Sequence, residues 1–225
     1  MEYKITVVRR KSPDESSYEQ TFSYETDNIA DTVASALISI GEVSWECSCL
    51  QKKCGACAMI INGRPRLACD SRLSEVAADF CIRLEPLHKF PVVRDLICDR
   101  SILQENLKAI AAWIEEGDEV KLKEDKKGLL FEAGKCLQCG CCLEVCPNFA
   151  AGGDFFGASA MMPAAGLLEK LDSKQSKALR RQYSSRFFAG CGKSLACRDI
   201  CPAGLDVESL MVNSNAILLW KHLLK

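Results

Sequence analysis

The chain is richest in cysteine over the segment Cys136-Leu-Gln-Cys139-Gly-Cys-Cys142-Leu-Glu-Val-Cys146-Pro147. Its C-x2-C-x2-C-x3-C-P spacing is the one with which bacterial dicluster proteins hold two iron–sulfur clusters. A second set of cysteines, also closed by a proline, follows about 45 residues later in the 225-residue chain at Cys191, Cys197 and Cys201-Pro202. The spacing therefore predicts thiolate-bound clusters, and the chemistry that it indicates is electron transfer.

The ligand sets follow from how such motifs interlock. The first three cysteines of one motif hold one cluster, and the fourth reaches across to the other. The four-iron cluster is thus predicted to be held by Cys136, Cys139, Cys142 and Cys201. Three cysteines remain for the second cluster: Cys146, Cys191 and Cys197.

The second cluster lacks a fourth thiolate. Its middle ligand would be expected three residues after Cys191, where the chain has Ser194. A site with one missing corner is most simply a [3Fe-4S] cluster. The alternative is a [4Fe-4S] cluster that uses the Ser194 oxygen or an external ligand.

An earlier cysteine loop has the plant-type two-iron spacing, with ligands predicted at Cys49, Cys54, Cys57 and Cys69. Asn62-Gly63 is a strong hairpin signal and would carry Cys69 back to the loop. Cys47 could replace Cys49 by a two-residue slip, but the four-residue gap to Cys54 favours Cys49. Because no histidine lies near the loop, a Rieske-type centre is excluded.

The surrounding pattern predicts an α+β protein of two domains. In residues 1–100, a helix capped by Asp31 or Thr32 and ended by Gly41 accompanies strands at residues 3–9, 18–24, 58–61, 66–68 and 80–85. Strands wrapped on one helix beside a cysteine loop describe a β-grasp ferredoxin domain of the plant type.

Residues 101–225 are predicted to form an all-α dicluster ferredoxin domain of the bacterial type. The connector Pro86–Pro91 breaks regular structure. A helix is expected from a capping box at Ser101 through Ile114, ending at Gly117, and further helices are expected after Pro163 and Asp206. The charged run from Lys121 to Lys127 is expected to be solvated.

Composition excludes several other classes. The formal net charge of −1 does not indicate the basic surface that binds nucleic acid. No segment approaches the roughly 20 apolar residues of a membrane-spanning helix. A disulfide scaffold would be shorter and denser in cysteine, and a single zinc ion needs fewer clustered thiolates than this chain supplies. His88 and His222 are isolated, and neither has a carboxylate or a cysteine at ligand spacing.

Taken together, these motifs resemble the iron–sulfur subunits of succinate dehydrogenase and fumarate reductase. The resemblance covers nearly the whole chain. It includes Ser48-Cys49-x4-Cys54-Gly55-x-Cys57, Leu67-Ala68-Cys69 and the connector from Glu85 to Leu96. It continues through the dicluster motif, through residues 157–168 and through Cys191-x5-Cys197-x3-Cys201-Pro202.

This resemblance implies that the chain transfers electrons one at a time between its partner subunits. It implies a [2Fe-2S] cluster that faces a flavoprotein partner carrying FAD, a [4Fe-4S] cluster in the middle, and a [3Fe-4S] cluster that faces quinone. It also implies a membrane-anchor subunit with or without heme, and a peripheral place on the cytoplasmic side of the cell membrane. No catalytic acid or base is implied on this chain. The direction of electron flow between succinate or fumarate and quinone stays open.

Two departures from the family pattern concern residues that are expected near the quinone site. Many relatives have a tryptophan shortly after the first Cys-Pro, whereas this chain continues with Asn148-Phe149. Dehydrogenase-type members often have a histidine after the residue that matches Cys191, whereas this chain has Gly192-Lys193. The alternative is the same electron-transfer subunit in a soluble or thiol-linked flavoprotein reductase that acts on fumarate or another enoate without a quinone.

Overall fold

The computed structural model describes residues 1–114, 124, 128–172 and 174–223, without the side chains of residues 220–223. The chain forms two compact units. The first comprises Met1–Arg100 together with Leu137–Glu144, and the second comprises Ser101–Cys136 and Val145–Lys225. The boundaries 1–100 and 101–225 stay a prediction from the sequence; the segment Leu137–Glu144 belongs to the first unit in the structure.

The first unit is built on a mixed five-stranded sheet with the order β2-β1-β5-β3-β4. Its central pair, β1 and β5, is parallel, and the other pairs are antiparallel. Alternate residues of β1, namely Tyr3, Ile5 and Val7, point into the core. The strands are β1 Glu2–Arg9, β2 Tyr18–Glu25, β3 Ala58–Ile61, β4 Arg64–Leu67 and β5 Cys81–Glu85.

One helix, α1 (Val33–Ile40), begins and ends where the sequence indicates. Thr32 caps it and forms a capping box with Ser35, and Gly41 ends it in the left-handed conformation at φ +71°. The hairpin between β3 and β4 turns at Asn62-Gly63, both with positive φ, as the Asn-Gly signal predicts. A one-turn helix α2 (Leu73–Val76) follows.

A buried ion pair ties the start of the cysteine loop to the sheet. Asp95 is 1% exposed and lies in the turn between β6 (Val92–Arg94) and β7 (Ile97–Cys98), two short strands that the sequence analysis missed. Its carboxylate accepts hydrogen bonds from the Arg9 guanidinium at 3.0 and 3.2 Å and from the Ser44 N–H at 2.9 Å. Burial raises the pKa of Asp95, but these hydrogen bonds outweigh it and lower the pKa below its ordinary value.

The described part of the second unit is helical. Its core helix α6 (Gly157–Lys170) packs against α4 (Leu129–Gly134) and α9 (Val207–Leu223). Gly166 allows α4 to approach α6 closely, since an added Cβ would lie 3.2 Å from that of Ala133. The helices outside the first unit are α3 Ser101–Ala109, α4 Leu129–Gly134, α6 Gly157–Lys170, α7 Lys177–Tyr183, α8 Ala196–Asp199 and α9 Val207–Leu223. A π-helical turn, Ser184–Phe188, extends α7, and α5 (Cys141–Glu144) belongs to the first unit.

Two helix predictions were wrong in extent. Helix α3 ends at Ala109 rather than at Gly117, because the chain turns at Ala111 with φ +58° to bury Ile110. Helix α6 begins six residues before Pro163 instead of after it. There the close packing of small residues outweighs the hydrogen bond that proline removes. The charged run from Lys121 to Lys127 lies outside the described residues except for Glu124.

We expect Asp95→Asn to destabilise the first unit by about 3 kcal/mol, because it leaves the largely buried Arg9 guanidinium without its ion-pair partner. Since the pKa of Asp95 is lowered in the folded state, its contribution is present above the unfolded pKa of about 3.9 and is lost as the pH falls through the folded pKa. Anaerobic urea unfolding at pH 7 and across the acid range measures both effects.

The matched control is Glu19→Gln, which breaks the exposed Glu19–Arg83 pair on the same sheet. This variant should lose no more than about 1 kcal/mol and should keep the acid dependence of the unmodified chain. Equal losses in D95N and E19Q would contradict the anchoring role of Asp95.

Candidate functional site

Backbone N–H groups surround the sulfur atoms of the first cysteine loop. The sulfur of Cys49 accepts from the N–H groups of Gln51 and Lys53, both at 3.3 Å. The Lys52 N–H donates to the Cys69 sulfur at 3.3 Å. Left-handed conformations at Leu50 (φ +51°), Lys52 (φ +59°) and Gly55 (φ +75°) turn these amides inward. Such donors stabilise thiolate and favour the reduced state of a bound cluster.

The four thiols of this loop stand in two neighbouring pairs. The sulfur atoms of Cys57 and Cys69 are 3.4 Å apart, and the Cys54 thiol donates to Cys49. The N–H groups of Gln51 and Lys53, followed by the Cys54 thiol, lower the pKa of Cys49 to about 7. Two pairs of thiols suit a two-iron cluster, in which each iron needs two protein ligands. The structure thus brings together Cys49, Cys54, Cys57 and Cys69, the set that the spacing predicts.

Gly55 is the point at which this loop meets the second cysteine motif. A Cβ at this position would lie 2.8 Å from the Cβ of Cys139 and 2.7 Å from the carbonyl oxygen of Leu137. Both partners belong to the segment Leu137–Glu144 of the same unit. The positive φ and the contact therefore both require glycine, and the requirement is more than that of an ordinary turn.

Cys139 lies buried in that segment beside Cys141, which is fully buried. The Cys141 thiol donates to the Cys139 sulfur, and this hydrogen bond outweighs burial and lowers the pKa of Cys139 to about 7. Cys142 follows in α5, whereas Cys136 and Cys201 belong to the second unit. The four-iron ligand set of Cys136, Cys139, Cys142 and Cys201 stays a prediction from the spacing.

The three cysteines predicted for the last cluster line one pocket of the second unit, and Ser194 lines it with them. Burial, followed by the neighbouring Cys146 and Cys191, raises the pKa of Cys197 to about 11. Ser194 therefore shares a pocket wall with the three thiols, and its place at the missing corner of a cluster stays a prediction. A donor set of three thiols and one hydroxyl fits a cluster with an incomplete thiolate shell.

The departures from the family pattern lie in the same pocket wall. Asn148 and Lys193 both line it. The Asn148 amide donates to the Gly190 carbonyl at 2.6 Å, which ties the segment after Cys146 to the segment before Cys191. Gly192 leaves room for this arrangement, since a Cβ there would lie 3.1 Å from the Asn148 amide nitrogen.

Some residues that shape these sites were missed from the sequence. Arg100 and Glu46 pair beside the first loop, and the Met211 sulfur lies 3.9 Å from that of Cys191. Met211 carries no signal beyond helical periodicity in α9. The pairing of Arg100 with Glu46 joins residues 54 positions apart, a separation that no local pattern reveals.

Two structural features are absent from residues 1–114, 124, 128–172 and 174–223. No three His, Cys, Asp or Glu side chains in these ranges converge closely enough to hold a single metal ion. No helix in them combines the length and the apolar character needed to cross a membrane.

Two protein families match the chain in the order that the motifs predict. Residues 4–105 match the family described as "2Fe-2S iron-sulfur cluster binding domain". Residues 132–205 match the family described as "4Fe-4S dicluster domain". The predicted fold class, a two-iron ferredoxin domain followed by a helical dicluster domain, is confirmed.

Relatives match over most of the chain. The succinate dehydrogenase iron–sulfur subunit of Bacillus subtilis is 32% identical over 94% of this chain and 90% of its own length. The fumarate reductase iron–sulfur subunit of Mycobacterium tuberculosis is 31% identical over 74% of this chain and 70% of its own.

A solved structure shares the fold. The "Mycobacterium smegmatis Sdh1 complex in the apo form" contains a chain that superposes with a TM-score of 0.78 at 24% identity, covering 98% of this chain and 97% of that one.

We expect Gly55→Ala to destabilise the first unit by about 2–4 kcal/mol, because strain at positive φ adds to a clash with the Cys139 backbone. The two-iron cluster content should fall with it. Thermal unfolding and iron analysis of the anaerobically purified protein measure the two losses.

Gly63→Ala is the control, since Gly63 has nearly the same φ, +73°, but nothing within 4 Å of an added Cβ. It should lose about 1 kcal/mol and keep its iron. A G55A variant that behaves like G63A would contradict the importance of the contact.

Proposed function

We propose that this chain, which belongs to the family of iron–sulfur subunits of succinate dehydrogenase and fumarate reductase, relays single electrons between a flavoprotein and a quinone. The observation that carries the proposal is the contact of Gly55 with Cys139, which places the backbones of two predicted cluster-binding motifs against each other. Electrons that leave one motif then have a short route to the next.

The cysteines are proposed to divide among three clusters. The [2Fe-2S] cluster takes Cys49, Cys54, Cys57 and Cys69; the [4Fe-4S] cluster takes Cys136, Cys139, Cys142 and Cys201; the [3Fe-4S] cluster takes Cys146, Cys191 and Cys197. When bound, such clusters supply one-electron carriers whose potentials depend on nuclearity, charge, hydrogen bonding and burial. The chain contributes the thiolates, the N–H donors of the first loop and the exclusion of water around the buried Cys57 and Cys139.

The proposed partners carry out the reactions that an electron-transfer subunit does not catalyse by itself. A flavoprotein with FAD would interconvert succinate and fumarate, and an anchor subunit in the membrane would bind quinone, with or without heme. The chain would then be peripheral, on the cytoplasmic side. The names of the relatives support a subunit of such a complex, and they support either direction of electron flow.

One observation favours a second candidate. Asn148 and Lys193 place polar groups in the wall of the pocket that Cys146, Cys191 and Cys197 line. The pocket lies at the proposed quinone-facing end of the electron-transfer subunit. There the family pattern has a tryptophan that borders quinone and a histidine. A soluble or thiol-linked flavoprotein reductase would keep the same clusters and would have no quinone there.

Purification of the native complex tests the proposal. We expect three kinds of subunit, namely this chain, a chain with FAD and a hydrophobic chain that co-purifies with quinone. Stopped-flow mixing with succinate, or with reduced quinone, should reduce the clusters of this chain within the turnover time. A two-chain assembly that is reduced by thiols and contains no quinone would support the second candidate instead.

We expect the oxidised complex to give the electron paramagnetic resonance signal of a [3Fe-4S] cluster, and Ser194→Cys to abolish it. The added thiolate would complete a fourth corner and favour a diamagnetic oxidised [4Fe-4S] cluster. Iron analysis should rise by about one atom per chain, because the variant's cluster has four irons rather than three.

The control is Ser74→Cys, which adds a thiol at an exposed position of α2 in the first unit, whereas Cys146, Cys191 and Cys197 belong to the second. It should leave the signal unchanged. An oxidised wild-type protein without the signal would instead support ligation by Ser194 or by an external group.

A further inference from the structure

Arg100 lies between the two cysteine motifs of the first unit. Its side chain is 15% exposed. The Nη1 atom donates to the carbonyl of Gly55 at 3.0 Å and to the carbonyl of Cys139 at 3.2 Å. The Nη2 atom donates to the carbonyl of Ala56 at 2.8 Å and pairs with the Glu46 carboxylate. One guanidinium thus holds three carbonyl groups from two cluster-binding segments.

These carbonyls occupy positions that matter for electron transfer. Gly55 and Ala56 are the two residues between Cys54 and Cys57, and the third carbonyl is that of the ligand Cys139 itself. The guanidinium therefore reaches the turn that carries two ligands of one cluster and the backbone of a ligand of the next. Its planar fork suits such a role, because its donors have a fixed geometry that a lysine ammonium lacks.

We infer that Arg100 is a positioning residue that joins the two-iron loop to the Cys139 segment and raises the reduction potential of both clusters. The inference rests on the proposed cluster ligands. No part of the family pattern described above assigns a role to this position.

The sign of the effect follows from charge. Reduction adds a negative charge to a cluster, and a nearby cation stabilises the added charge. Arg100 is also turned toward carbonyl oxygens whose negative ends would otherwise oppose reduction. Glu46 acts in the opposite sense, since its carboxylate offsets part of the guanidinium charge.

The test is a redox titration of the purified complex followed by electron paramagnetic resonance. We expect Arg100→Met to lower the one-electron reduction equilibrium constant of the [2Fe-2S] cluster about tenfold, which corresponds to about 59 mV. The [4Fe-4S] cluster should shift in the same direction. Glu46→Gln should shift both clusters in the opposite direction. Arg100→Lys should keep most of the wild-type reduction potential, because the charge remains. It should broaden the electron paramagnetic resonance signals, because the planar guanidinium is lost.

Arg94→Met is the control, because Arg94 is exposed on β6 of the same unit and its loss changes the net charge equally. A shift in R100M no larger than that in R94M overturns the inference.

If R100M fails to assemble clusters, the E46Q variant provides the test. An unchanged potential in E46Q overturns the inference, and a raised potential supports it. A wild-type complex without clusters would overturn the proposed function itself, whereas normal clusters with unshifted potentials overturn only the role of Arg100.

Discussion

The structure depends on the direction in which a few backbone N–H groups point. In the loop from Cys49 to Cys57, three residues with positive φ aim amides at sulfur, and two of these amides reach Cys49. This geometry needs a rigid frame, because a left-handed residue other than glycine is strained. The frame is the sheet and the ion pair of Asp95 with Arg9, which holds Ser44 at the entrance to the loop.

Much of this was predictable because the signals are local. Cysteine spacing indicated which thiols share a loop, and the structure brings together Cys49, Cys54, Cys57 and Cys69 as expected. Capping residues gave the ends of α1, and Asn62-Gly63 gave the hairpin. One pocket is likewise lined by Cys146, Cys191, Cys197 and Ser194, the residues that the motif spacing assigns to one predicted site.

The rest could not be predicted because it depends on residues distant in sequence. The role of Asp95 arises from a partner 86 positions away, and that of Arg100 from carbonyls 39 to 45 positions away. Helix periodicity also overestimated α3, since nothing local shows that the chain turns at Ala111 to bury Ile110. In α6 the sequence rule that proline begins a helix failed because burial of small side chains outweighed it.

The assignment of Leu137–Glu144 to the first unit has a consequence for how such proteins can evolve. A recombination event that exchanged the first hundred residues for those of another ferredoxin would leave Cys139 and Gly140 facing a foreign domain, although both are fitted closely to Gly55 and Phe90. We therefore expect the two cofactor modules to be inherited as a pair. New pairings of modules should arise by gradual substitution within the whole chain rather than by exchange at the connector.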